Sequence, residues 1–202
     1  MRKTLSRGSL VLLAALLIAA AGTAYAQAPA DFASEPDKSM ASGLESFEKG
    51  DTNKAAQSIQ KAAAYVRKEG DKVAKGAKGG VVKAGDQLAK LGGEVKKGTV
   101  KSGDQLKKTF AQVDHSLAQA WHATAEQTQK SGNDATAALK KAGAGVEGAA
   151  KWSGTQLKEG TQASIDGLKK AGKGVKMGAE EAGKFFKGIG DGITDLGQKL
   201  SG

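Results

Sequence analysis

The chain reads as all-α, an elongated bundle of short and very long amphipathic helices, on three observations. Both prolines, Pro29 and Pro36, lie before residue 40, so nothing covalent bars helix beyond them. Alanine and lysine abound while aromatic residues make up 4% of the chain, too few for a sheet protein with a large core. Apolar residues also recur at helical period over long stretches. Twenty-nine glycines pull the other way, each costing about 1 kcal/mol relative to alanine in a helix interior. Such helices need support from packing, and a partly disordered chain ordered by something else stays open as the alternative.

Residues 1–26 have the layout of a signal peptide. Arg2, Lys3 and Arg7 precede an apolar run from Leu10 to Ala21, and Ala24-Tyr25-Ala26 is the small-x-small pattern that a signal peptidase cuts. The run is shorter than the roughly 20 residues of a spanning helix. Cleavage after Ala26 and export, to the periplasm or out of the cell, is therefore expected ahead of a retained anchor. Without Arg2, Lys3 and Arg7, 28 basic residues face 21 acidic ones, a formal charge of +7 spread along the chain. That balance favours anionic surfaces such as lipid headgroups, lipopolysaccharide or acidic polymers, with nucleic acid set aside for an exported protein. The absence of cysteine excludes a disulfide framework and thiolate metal sites.

Residues 27–38 hold both prolines and are expected to be a disordered lead-in. A short helix is expected from Ser39 to Lys49, stopped by Gly50, with Asp51 or Thr52 capping the next helix. The same punctuation returns at Lys130-Ser131-Gly132-Asn133-Asp134. After each turn similar residues follow at an offset of 80: Ala55, Ile59, Lys61, Ala62 and Val66, then Ala135, Leu139, Lys141, Ala142 and Val146. The pattern suggests tandem helix-turn-long-helix units, a first over 39–130 and a long C-terminal amphipathic helix or helices over 131–202. Thr52 to Gln129 is one helix, or breaks at Gly79-Gly80, Gly92-Gly93 or near Asp114; the sequence does not choose.

Shorter repeats preserve a helical face. Val82 to Leu88 recurs as Val100 to Leu106, displaced by 18 residues, and Leu139 to Gly143 as Leu168 to Gly172, displaced by 29. At about 100° per residue both shifts return to nearly the same side. On such a wheel Leu139, Val146, Leu157, Leu168, Val175, Phe186, Ile189 and Ile193 hold one line, joined by Ala182, Leu196 and Leu200. This is the candidate interaction stripe. A second line runs from Val81 through Leu88, Val95, Leu106, Phe110, Val113 and Leu117 to Trp121, with Lys83, Lys90, Lys97, Lys101 and Lys108 opposite as a cationic face. Constant phase over such lengths predicts a nearly straight rod rather than a left-handed supercoil. Glycines line one edge of the C-terminal stripe and sit within the other, and Gly174 with Gly178 and Gly188 with Gly192 have the GxxxG spacing of closely packed helices.

Catalytic and cofactor motifs are weak. Gly143 to Gly148 matches GxGxxG, while Gly178 to Lys184 and Gly167 to Lys173 match part of a phosphate loop, but no strand precedes them and the hydroxyl for magnesium is missing. His115 and His122, seven apart on a helix, stand about 10 Å apart along its axis, too far to share one metal. His122 with Glu126 reads as a surface pair. No catalytic residue, cofactor or metal is expected. Trp121, Phe110, Phe185, Phe186, Trp152 and Tyr65 read as anchors of helix pairs, although Lys184 to Gly190 also has the look of an interfacial cationic peptide, weakened by Glu180, Glu181, Asp191 and Asp195.

Through its 11/18-residue rhythm and its Ala/Lys/Gly/Gln-rich faces, the stretch from residue 70 to 200 resembles late embryogenesis abundant proteins and, more distantly, exchangeable apolipoproteins. The resemblance is one of composition and period. It implies disorder in dilute solution, helix on drying or lipid contact, and a protective or surface-coating role. The chain departs from it in its extra glycine, its leader and the punctuated hairpin from Ser39 to Val66. The expected function is that of a non-enzymatic exported helical protein, structural or stress-protective, associating with the envelope or a helical partner through the apolar stripe. A cationic protein ordered by anionic lipid is one alternative, and a helical adaptor or self-associating oligomer is another.

Overall fold

The structure, a computed structural model, describes residues 34–171 and 178–201. These form seven α-helices and no strand: α1 Glu35–Glu48, α2 Thr52–Gly70, α3 Lys78–Lys96, α4 Gly103–Lys130, α5 Thr136–Ser153, α6 Glu159–Lys170 and α7 Ala179–Ser201, with a 3₁₀ turn, Lys75–Ala77, before α3. The fold is all-α. The expected signal peptide, the expected lead-in up to residue 33 and Val175 lie outside the described residues.

α1 starts four residues before the expected Ser39, inside the stretch assigned to the lead-in. Pro36 explains the shift, because in a first turn its missing N–H costs nothing and its fixed φ suits the helix. Ser34 caps this end, its Oγ accepting from Asp37 N at 3.2 Å. The expected stop follows: Gly50 has φ +80, and Asp51 N donates to Ser46 O at 2.9 Å, closing a left-handed C-terminal motif. Asp51 then caps α2 by accepting from Lys54 N at 2.9 Å. Gly132, at φ +72, ends α4 in the same way.

No single helix spans either long stripe. The stretch from Thr52 to Gln129 holds three helices, yet Gly79-Gly80, Gly92-Gly93 and Asp114 all lie inside helices. The breaks fall instead at residues 71–77 and 97–102, the second at Gly98, whose amide bonds back to Val95 O at 3.0 Å. Gly92 stays helical because Gln60 fills the space where its Cβ would be and donates to Ala89 O at 2.7 Å. Likewise the C-terminal stripe is divided among α5, α6 and α7, since Gly154 ends α5 and reverses the chain. Phase is kept across these turns because each successive helix folds its apolar face onto the same core.

Two apolar clusters result, and α4 runs through both. Leu106, Phe110, Val113 and Leu117 pack with Met40, Leu44, Ile59, Val66, Leu88 and Val95 from α1 to α3. Further along, Ala118, Trp121 and Ala125 pack with Leu139, Val146, Ile165, Leu168, Ile189 and Leu196 from α5 to α7. The core thus divides within α4 rather than at the turn that ends it. Trp152 of α5 ties the halves together, its ring edge-on to Phe110 at 5.0 Å.

Glycine permits the closest contacts. A Cβ on Gly145 would stand 2.8 Å from Asp114 O and 2.9 Å from Ala118 N, so α4 and α5 meet there backbone to backbone. The Gly188 and Gly192 pair seats α7 on Ser164 and Thr161 of α6, whereas Gly178 has nothing within 4 Å of a Cβ.

Candidate functional site

The two faces foreseen in the sequence have opposite fates. Leu139, Val146, Leu168 and Ile189 are buried and Leu157, Phe186 and Ile193 half-buried, so the described part of the stripe is spent mainly within the molecule. Lys83, Lys90, Lys97, Lys101 and Lys108 are all exposed, on α3, on the turn after it and at the start of α4. Among the described residues, Lys90 alone of the five meets a carboxylate, Glu94 at 3.8 Å. Lys101 Nζ donates to Gly98 O at 2.9 Å. Lys108 also borders a depression of about 340 Å³ with Lys107, Lys199 and Trp152.

A second feature was not foreseen. A cavity of about 350 Å³ lies where the first turn of α1 meets α2, α4 and α5. Tyr65, Leu117 and Trp121 give it an apolar lining, and Lys68, Glu69, Lys72 and Lys141 give it charge. Lys141 Nζ sits 4.0 Å above the Trp121 ring and 2.8 Å from Glu69 Oε2. The other Glu69 oxygen takes Lys72 Nζ at 2.6 Å. Burial opposes ionisation of Glu69, but the two ammonium groups outweigh it and hold the carboxyl below its ordinary value.

Asp37 and Asp114 also line the cavity, and both are buried; Asp114 is 1% exposed. The two carboxyls lie beside each other and the Trp152 indole, both of them within 3.5 Å of the place a Cβ on Gly148 would take. Desolvation pushes both above the usual carboxylate range, Asp114 furthest because the Asp37 charge adds to it. Asp114, Ser34, Trp152 and Lys151 all oppose the rise at Asp37, which leaves Asp114 the more strongly raised of the two. Asp37 Oδ1 and Asp114 Oδ2 find no ordinary donor, which a proton held between the carboxyls accounts for. Gly148 of α5 leaves room for the pair, since a Cβ there would run into the Asp114 carboxylate.

The histidines fasten α7. His115 Nε2 bonds to Ile193 O at 2.8 Å and His122 Nε2 to Phe186 O at 3.1 Å, two rungs seven residues apart on both helices. With carbonyl acceptors, Nε2 carries the hydrogen in both rings. His122 Nδ1 is 3.6 Å from Glu126, the surface pair expected. Among the described residues no group of three His, Cys, Asp or Glu is placed to hold a metal ion, and no helix is long and apolar enough to cross a membrane. The GxGxxG string lies in the middle of α5, where Gly145 and Gly148 serve contact with α4 rather than any phosphate-cradling loop. No protein-family model, curated protein or solved structure matches the chain.

Proposed function

We propose that the protein is an exported, non-enzymatic helical module that attaches to anionic surfaces of the cell envelope through its lysine face, while the apolar stripe serves its own core. The observation that carries this reading is the contrast in exposure: Lys83, Lys90, Lys97, Lys101 and Lys108 are open to solvent, whereas Leu139, Val146, Leu168 and Ile189 are buried. An apolar face already packed against partners gains little by entering lipid. Lysines without close carboxylates keep their full attraction for an anionic surface, each worth about 1 kcal/mol near such a membrane. Attachment by charge alone leaves the fold unchanged and is screened by salt.

Co-sedimentation with vesicles tests this. The exported protein is expected to pellet with anionic but not neutral vesicles and to be released at high salt. Replacing the five lysines by glutamine should abolish most of the binding without altering the helix content. Equal binding to neutral vesicles, or undiminished binding by the glutamine variant, refutes the proposal.

A further inference from the structure

We propose that the first turn of α1 is a proton-held lid over the cavity, fastened by the single proton that Asp37 and Asp114 share and released when that proton leaves. The lid is defined by geometry. Ser34, Glu35, Pro36 and Asp37 line the cavity together with Tyr65 of α2 and Trp121 of α4. The rest of α1 has its own anchorage, Met40 and Leu44 in the first core and Gly43 against the Ile59 side chain. The first turn can therefore lift about its junction with that anchored part, and Asp37 is its polar fastening to α4.

What surrounds the pair makes the fastening depend on one proton. From α5, Lys151 reaches Asp37 but is also 3.7 Å from Glu147. On α1, Glu35 is taken by Lys38 at 3.2 Å. Across the cavity, Lys72 and Lys141 are engaged by Glu69, leaving Lys68 at the rim. His115, beside Asp114 in sequence, is bonded to α7. At Asp114 burial and the neighbouring Asp37 charge oppose ionisation, and only the Trp152 indole favours it among the groups that shift it. A second negative charge there is repelled by the first inside a buried contact, and lifting of the α1 turn parts the two carboxylates and lets water reach them. The lid goes beyond the lysine-face attachment and does not rest on it.

Amide hydrogen exchange of the purified protein against pH, corrected for the intrinsic rate, tests the lid. Opening linked to loss of one proton lowers protection of the Asp37 and Lys38 amides, which bond to Ser34, by about tenfold per pH unit once the pair titrates. Asp114→Asn should abolish that slope, because the amide supplies a hydrogen that cannot be lost. Asp37→Asn removes the second charge from the other side and serves if the first variant does not fold. Amides in the first turn of α2 should show no such slope in any variant. The same slope in wild type and the Asn variants overturns the proposal. So does exchange of those amides only together with the amides of every other helix, which would mean that the turn opens by global unfolding and not as a lid.

Discussion

At the scale of single residues, the carboxyl pair shows how composition is converted into a specific contact. Asp37 and Asp114 each look like ordinary solvated acids in sequence, and 77 residues separate them. Nothing in periodicity brings them together; the nearest clue was Asp114 itself, on the face of the helix that otherwise carries Val113, Leu117 and Trp121. Gly148 is the matching residue on α5, and Gly148→Ala should cost about 1–3 kcal/mol in urea unfolding, because the methyl must displace a buried carboxyl. An unchanged midpoint would show that the pair does not fill that space. The pH dependence has a defined sign. Both carboxyls are raised above 3.8, so the native state holds protons that the unfolded chain has released, and their stabilising contribution, complete below about pH 3.8, is lost as pH rises through the native values. Lowered acids such as Glu69 act oppositely, contributing above their ordinary value and losing it in acid. The stability of Asp114→Asn relative to wild type should therefore grow with pH, and a constant difference would contradict the assignment.

Elements were legible where the chain punctuates itself with a cap and a left-handed glycine. Gly50 with Asp51, and Gly132, marked real helix ends because local hydrogen bonds suffice to make them. The offset of 80 residues also places equivalent residues alike: Ile59 and Val66 are buried in α2 as Leu139 and Val146 are in α5. Breaks at residues 71–77 and 97–102 were not legible, since single glycines mark neither: Gly92 stays helical with Gln60 packed on it, while Gly98 takes a positive φ. The seating of α7 was half legible: its Gly188 and Gly192 spacing was visible, but its two histidine rungs depend on the α4–α7 register. Replacing both His115 and His122 by alanine should remove two bonds worth about 1 kcal/mol each and loosen α7 before other helices, read as faster amide exchange over residues 186–197. Unchanged protection of α7 would mean that its apolar and glycine contacts suffice alone.

For the whole molecule, the sequence established the helical class and the partition between a dry stripe and a lysine face, while the folding back of that stripe depended on turns that a helical wheel cannot see. Because α4 belongs to both apolar clusters, the two should unfold as one. Phe110→Ala, in the first cluster, is expected to cost about 3–5 kcal/mol and to lower a single transition that also carries the second cluster. Two separate transitions would mean that α4 does not couple them. The central claim is that this basic, glycine-rich chain folds by itself through its own stripe and meets anionic surfaces only by charge. Far-ultraviolet circular dichroism of the purified protein, with and without anionic vesicles, tests it most directly. The account predicts strong helix with a cooperative melt in plain buffer and an unchanged spectrum when vesicles bind. A coil in buffer that turns helical only on anionic vesicles would contradict it.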